Sequence, residues 1–145
     1  MNQKPPVIYW DTSAIISVLF KDDHSEQAHP LAAQEGVHLI SSLGYAEACA
    51  VLARIRREGA LADILVKAAF EVLETGPWRR LHLSPAWEDL RELSGKWPLR
   101  GADLWHLATA KRARTELPEL ALLTFDDRLK IAAEGEGLGI LPPEY

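Results

Sequence analysis

The chain has 145 residues, 48% of them apolar and 26% charged, with 21 acids against 16 bases for a net charge of −5. That length supports one substantial core, and the composition excludes a disordered tail. A single cysteine, Cys49, excludes an internal disulfide framework and a cysteine-rich zinc site, and the acidic balance argues against a protein that clings to nucleic acid by charge alone.

The opening Met1-Asn2-Gln3-Lys4-Pro5-Pro6 lacks the apolar stretch of a secretion signal, and no charge-free run reaches bilayer length. The expected compartment is a reducing cytoplasm. Val7-Ile8-Tyr9-Trp10 reads as a buried strand ending at Asp11, with Trp10 in the core. Thr12-Ser13 supplies a capping signal for a helix over Ala14–Phe20. A helix from Ser25 to about Glu35 stops at Gly36, and Val37–Ile40 forms a second strand. From Leu43 to Arg57 the pattern is helical, because Ala48, Val51, Leu52 and Ile55 make one apolar stripe. Ala60–Glu74 gives another helix, Arg80–Leu83 a third strand, and Ser84-Pro85 opens a helix to about Lys96. A helix from Ala102 to Thr115, a strand at Leu120–Leu123, a helix from Asp127 to Glu134 and a weak fifth strand at Gly139–Leu141 complete the series. With no repeat and no linker, residues 1–145 are expected to form a single domain. Strands alternating with helices predict a mostly parallel sheet of four to five strands covered on both faces, with any site at the carboxyl ends of the strands.

Four acids are expected near that edge. Asp11 ends the first strand, Asp126 follows the fourth, and Glu47 lies early in the helix leaving the second. Asp103 stands in the first turn of its helix and joins the others only if that helix docks there. Each acid has an ordinary structural use as a helix cap or a partner of a helix dipole. Together they repel: two unit charges ~5 Å apart at an effective dielectric of ~20 cost roughly 3 kcal/mol. Such a cluster must hold protons or bind a cation. An all-oxygen donor set favours Mg2+ or Mn2+, whose bound waters hydrolyse phosphate esters.

Strand–Asp11-Thr12-Ser13, Tyr45-Ala46-Glu47-Ala48, Leu99-Arg100-Gly101-Ala102-Asp103 with Leu107-Ala108-Thr109-Ala110, and Thr124-Phe125-Asp126-Asp127-Arg128-Leu129 follow one another across nearly the whole chain. In this order they resemble the PIN-domain ribonucleases, in particular the VapC-like toxins of bacterial toxin–antitoxin pairs. The resemblance implies a three-layer α/β/α sandwich and Mg2+- or Mn2+-dependent endonuclease action on RNA. It implies Asp11, Glu47, Asp103 and Asp126 as the catalytic and metal-binding acids, inhibition by a cognate antitoxin, and homodimerisation. Trp105-His106 is not part of the family pattern, and Asp127 stands at a variable position.

His106, three residues after Asp103, reads first as a packed histidine and second as a group that orients a metal ligand. Thr124 and Ser13 are equally balanced between strand-end and N-cap hydroxyls and donors to the carboxylates. Arg54, Arg56 and Arg57, and Lys111, Arg112 and Arg114, are two basic clusters at helix C-ends, suited to the dipole or to phosphate. Trp78, Trp87 and Trp97 are candidates for a partner surface. A phosphatase working through an aspartyl nucleophile needs a second acid two residues after the first, and Ser13 occupies that position. A PIN-type nuclease of RNA maturation and an inactive PIN-like scaffold are the remaining alternatives.

Overall fold

The computed structural model of the protein describes residues 5–139. Strand β1, Val7–Trp10, is buried along its whole length, as a central strand of a parallel sheet must be. It pairs in parallel with β2, Val37–Ser41, on one side and with β4, Leu120–Leu123, on the other. Strand β3, Trp78–Leu81, pairs in parallel with β2, so the order is β3-β2-β1-β4.

Alternation along the strands sorts side chains between two cores. Val7, Tyr9, Leu39, Leu120 and Leu122 face one layer. It contains α5 (Trp87–Lys96), α6 (Gly101–Arg114) and α7 (Asp127–Gly135), through Leu93, Leu107 and Leu129. Ile8, Trp10, Ile40 and Leu123 face the other. It contains α1 (Thr12–Leu19), α2 (Ser25–Ala33), α3 (Ser42–Glu58) and α4 (Asp63–Thr75). Ile15, Ala28, Leu52 and Leu73 close that side. The expected α/β/α sandwich is the observed one, with four strands among the described residues. No helix there is long and apolar enough to cross a membrane.

The elements differ from expectation where side-chain contacts outweigh local pattern. The third strand runs from Trp78 rather than Arg80, because the Trp78 ring meets Trp10 edge-on at 5.6 Å while Trp78 pairs with His38. The helix expected from Ser84-Pro85 begins only at Trp87, after an extended run in which Pro85 is buried. Asp11, not Thr12-Ser13, caps α1 by accepting the Ala14 N–H. Cys49 is only partly buried. Of the proposed fifth strand, Ile140 and Leu141 lie outside the described residues and Gly139 is not in a strand. The Leu138 carbonyl just before them accepts the Leu122 N–H at the β4 edge. Trp10 is fully buried as expected. Of the three other tryptophans weighed for a surface, Trp87 is 87% exposed, whereas Trp78 and Trp97 are partly buried.

The second basic cluster is consumed by the fold. The Glu136 side chain, 5% exposed, accepts from Lys96 Nζ at 2.9 Å, Trp97 Nε1 at 3.1 Å and Lys111 Nζ at 3.2 Å. Arg114 donates to the Glu136 carbonyl, and Arg112 to the Ser84 carbonyl at 2.5 Å. Gly135 leaves room for the Trp97 ring, which occupies the place of a Cβ there. This knot ties α5 and α6 to the end of α7. Lys96, above all, holds the Glu136 carboxyl down to about 2. Its stabilisation is therefore complete above the ordinary glutamate range and lost as pH falls through about 2. Glu136→Gln leaves two ammonium groups without their counter-charge and is expected to lower unfolding free energy by about 2 kcal/mol at pH 7. Urea denaturation measures this, and the deficit should shrink in acid.

Candidate active site

Asp11 stands one residue beyond β1, where its N–H still bonds the Leu123 carbonyl across the ladder. Its side chain is almost fully buried, and Oδ1 accepts from the Ala14 N–H at 2.9 Å and the Ser13 hydroxyl at 2.7 Å. Burial pushes the Asp11 carboxyl above its usual range, against the opposing hydrogen bonds of Thr124, Ala14 and Ser13 and the nearby His106. The Ser13 hydroxyl also accepts the Phe125 N–H at 3.0 Å, and Thr124 Oγ1 accepts the Asp126 N–H at 3.1 Å. Both hydroxyls therefore join the exit of β1 to the exit of β4; they donate to Asp11, and the helix caps are Asp11 and Asp126 instead.

Asp126 ends that second exit. Its Oδ1 accepts the Leu129 N–H at 3.0 Å and so caps α7, while the residue is exposed. Glu47 rises from the second turn of α3, its side chain 36% exposed. Ser41, the last residue of β2, caps α3 by accepting the Gly44 N–H, which fixes where that turn falls. Glu47 Oε1 accepts from the Thr12 hydroxyl at 2.7 Å and lies 3.3 Å from His106 Nε2. These two bonds, His106 first, hold its carboxyl below the usual range despite partial burial.

Asp103 reaches the edge because α6 does dock there. One turn after it, His106 Nδ1 lies 2.7 Å from the Tyr9 hydroxyl, a buried bond between α6 and β1. The half-buried Asp103 carboxyl is raised by desolvation first, then by the charges of Asp126, Asp11 and Glu47, with His106 opposing. The other three predicted acids thus all act on Asp103 at this edge of the sheet. Among the described residues, no three His, Cys, Asp or Glu side chains stand close enough to chelate one ion as they lie. The arrangement is open. Its donors are carboxylate oxygens, which suits a strongly hydrated cation held by one or two carboxylates and its own waters rather than a caged zinc.

Sequence reasoning gave Thr12 only a capping role and ranked His106 first as a packed residue. His106 is indeed buried, but it lies against Thr12 Oγ1 as well as Glu47, at 3.3 Å each. Their signal in the sequence is proximity alone: Thr12 follows Asp11 directly, and His106 follows Asp103 by one helical turn. Trp105 lies half-buried beside them. Asp127 begins α7 and is exposed. A separate groove of about 790 Å3 between α2 and α7 touches Thr124 and Phe125 but contains none of the four acids. The candidate site is the open sheet edge beside it.

Known proteins resemble both the sequence and the fold. Over 45 residues the chain is 49% identical to Ribonuclease VapC35 of Mycobacterium tuberculosis, in each of two strains. That stretch is 31% of this chain and 33% of the relative, so the chain spans about a third of the length of the curated protein it matches. The structure of PAE2754 from Pyrobaculum aerophilum superposes with a TM-score of 0.58 at 17% identity, over 90% of this chain and 81% of that one. VapC20 of Mycobacterium tuberculosis, a toxin that cleaves the sarcin-ricin loop, superposes with a TM-score of 0.57 at 16% identity, over 86% and 94%. A family model for the PIN domain matches residues 8–135, from β1 to the end of α7 with all four acids inside it, and the chain therefore belongs to the PIN domain family.

Proposed function

We propose that the protein is a metal-dependent endoribonuclease, the toxin of a toxin–antitoxin pair, acting as one domain in the cytoplasm and held off by a cognate antitoxin. The observation that carries this reading is the placement of four acids from four separate elements at one edge of the sheet, near enough that Asp11, Glu47 and Asp126 all raise the Asp103 carboxyl. The repulsion at Asp103 costs stability, and Asp103 makes no cap, so only the weak helix-dipole interaction of a first-turn acid offsets it. Membership of the PIN family and the partial match to a ribonuclease support the choice of RNA as substrate.

Asp11, Glu47, Asp103 and Asp126 would hold the Mg2+ or Mn2+ ion, one or two of them directly and the others through its waters, and when bound it supplies an activated water and positive charge for the phosphate. The chain's own part is orientation. Ser13 and the Ala14 N–H fix one Asp11 oxygen, and Thr12 and His106 fix one Glu47 oxygen. Asp126 keeps its place by capping α7, and the net negative charge of the chain discourages RNA from binding where no cation is present. An antitoxin arginine is the complementary inhibitor, because its guanidinium pairs bidentately with carboxylates.

Incubation with total cellular RNA tests the reading. Discrete cuts are expected with millimolar Mg2+ or Mn2+ and none with EDTA. Equal cutting in EDTA, or intact RNA with either metal, would overturn it.

A further inference from the structure

His106 is 1% exposed, yet its Nε2 faces the acidic edge. The ring lies against α3 at Gly44, where a Cβ would come within 3.7 Å of its Cε1. From there Nε2 reaches Glu47 Oε1, one turn further along the same helix, at 3.3 Å. Thr12 Oγ1 lies 3.3 Å from the same nitrogen and donates to the same Glu47 oxygen. On the far side of the ring, Nδ1 meets the Tyr9 hydroxyl at 2.7 Å. The Tyr9 bond accounts for one ring nitrogen as a tie between β1 and α6, whereas the second nitrogen, placed against Glu47 and Thr12, does nothing for that tie.

Resting on the metal-nuclease reading above, we infer that His106 is a positioning residue for the cation: held by Tyr9 at Nδ1, it donates from Nε2 to Glu47 Oε1 and turns Oε2 towards the ion. The Tyr9 hydroxyl is fully buried and also bonds Ser41. A Tyr9 hydroxyl that donates to Nδ1 requires a ring hydrogen on Nε2, the nitrogen facing Glu47. The relay thus runs Ser41, Tyr9, His106, Glu47, and it links the ends of β1 and β2 to a carboxylate on α3. Partners that orient a metal ligand in this way typically change metal affinity by 10–100-fold when removed.

Mn2+ binding by the metal-free protein, followed by electron paramagnetic resonance or calorimetry, separates orientation from packing. His106→Leu is expected to weaken Mn2+ binding by about 10–100-fold. His106→Gln, whose amide nitrogen replaces Nε2 as donor, should stay within a few-fold of wild type. In a Glu47→Ala background, His106→Leu should cost nothing more. Wild-type affinity in His106→Leu overturns the inference. So does an equal loss in His106→Gln, or a loss that persists without Glu47. A wild-type protein that binds no Mn2+ removes the nuclease reading as well, whereas normal wild-type binding with unchanged variants removes only the role of His106. Should His106→Leu fail to fold, Tyr9→Phe carries the test, since it deletes one hydroxyl and leaves the ring in place. It should move the 15N resonances of the His106 ring and weaken Mn2+ binding, and no change in both would refute the relay.

Discussion

Asp11→Asn is expected to reduce RNA cleavage by about 10²–10³-fold while leaving the metal-free protein as stable as wild type or more so. The two halves of this result have one cause. The Asp11 side chain is 2% exposed, and burial of its charge is the main influence raising its carboxyl. Asparagine keeps an oxygen for the Ala14 N–H and the Ser13 hydroxyl, so the α1 cap survives. It removes the buried charge that a cation would neutralise. A raised native carboxyl contributes stability below its unfolded value and loses it as pH rises through the native value. In EDTA, the melting temperature of the variant relative to wild type should therefore climb between acid and neutral pH. Glu47 and Glu136 change in the opposite sense, but they do so in both proteins and cancel in the comparison. Asp11→Ala is the contrasting variant: it loses the cap as well and should be destabilised by about 1 kcal/mol. Undiminished cleavage by Asp11→Asn would remove Asp11 from the proposed site.

The same side chain explains why part of the site was legible in the sequence. An apolar, β-favouring run that stops at an acid marks a strand end, and in a parallel sheet strand ends share one edge. Asp11, Glu47 and Asp126 followed from that topology. Asp11 and Asp126 also turned out to be the caps of α1 and α7, so the structural and the functional readings were not rivals. The docking of Asp103 was not legible, because it depends on a bond between Tyr9 and His106 across 97 residues of sequence. No local pattern carries such a pairing. The shift of β3 has a similar origin: Arg79 and Arg80 are exposed on an edge strand, and it is Trp78 against Trp10 on one face and Leu81 on the other that seat it beside β2. Lys111 and Arg114 read as partners of the helix dipole or of phosphate, and Glu136, just past the end of α7, is their partner instead.

Millimolar Mn2+ is expected to raise the melting temperature of the metal-free protein by about 8 °C, and Asp126→Asn to lose most of that rise. At a free ion concentration 100 times Kd, binding to the native state alone contributes about 2.7 kcal/mol. For a chain of this length each kcal/mol is worth about 3 °C. Asp126 is the informative position because it is exposed and needs only one oxygen for the Leu129 N–H, which asparagine retains. The variant should therefore start from a melting temperature close to wild type, or slightly above it, since one charge raising Asp103 is gone. Sodium chloride of equal ionic strength is the control for diffuse screening, which acts over about 10 Å at 0.1 M and does not need a coordinating oxygen. A specific site gives a saturable rise with Mn2+ and little with sodium. If sodium reproduced the rise, or if Asp126→Asn rose as far as wild type, the four acids would be a repulsive edge that any salt relieves and not a cation site.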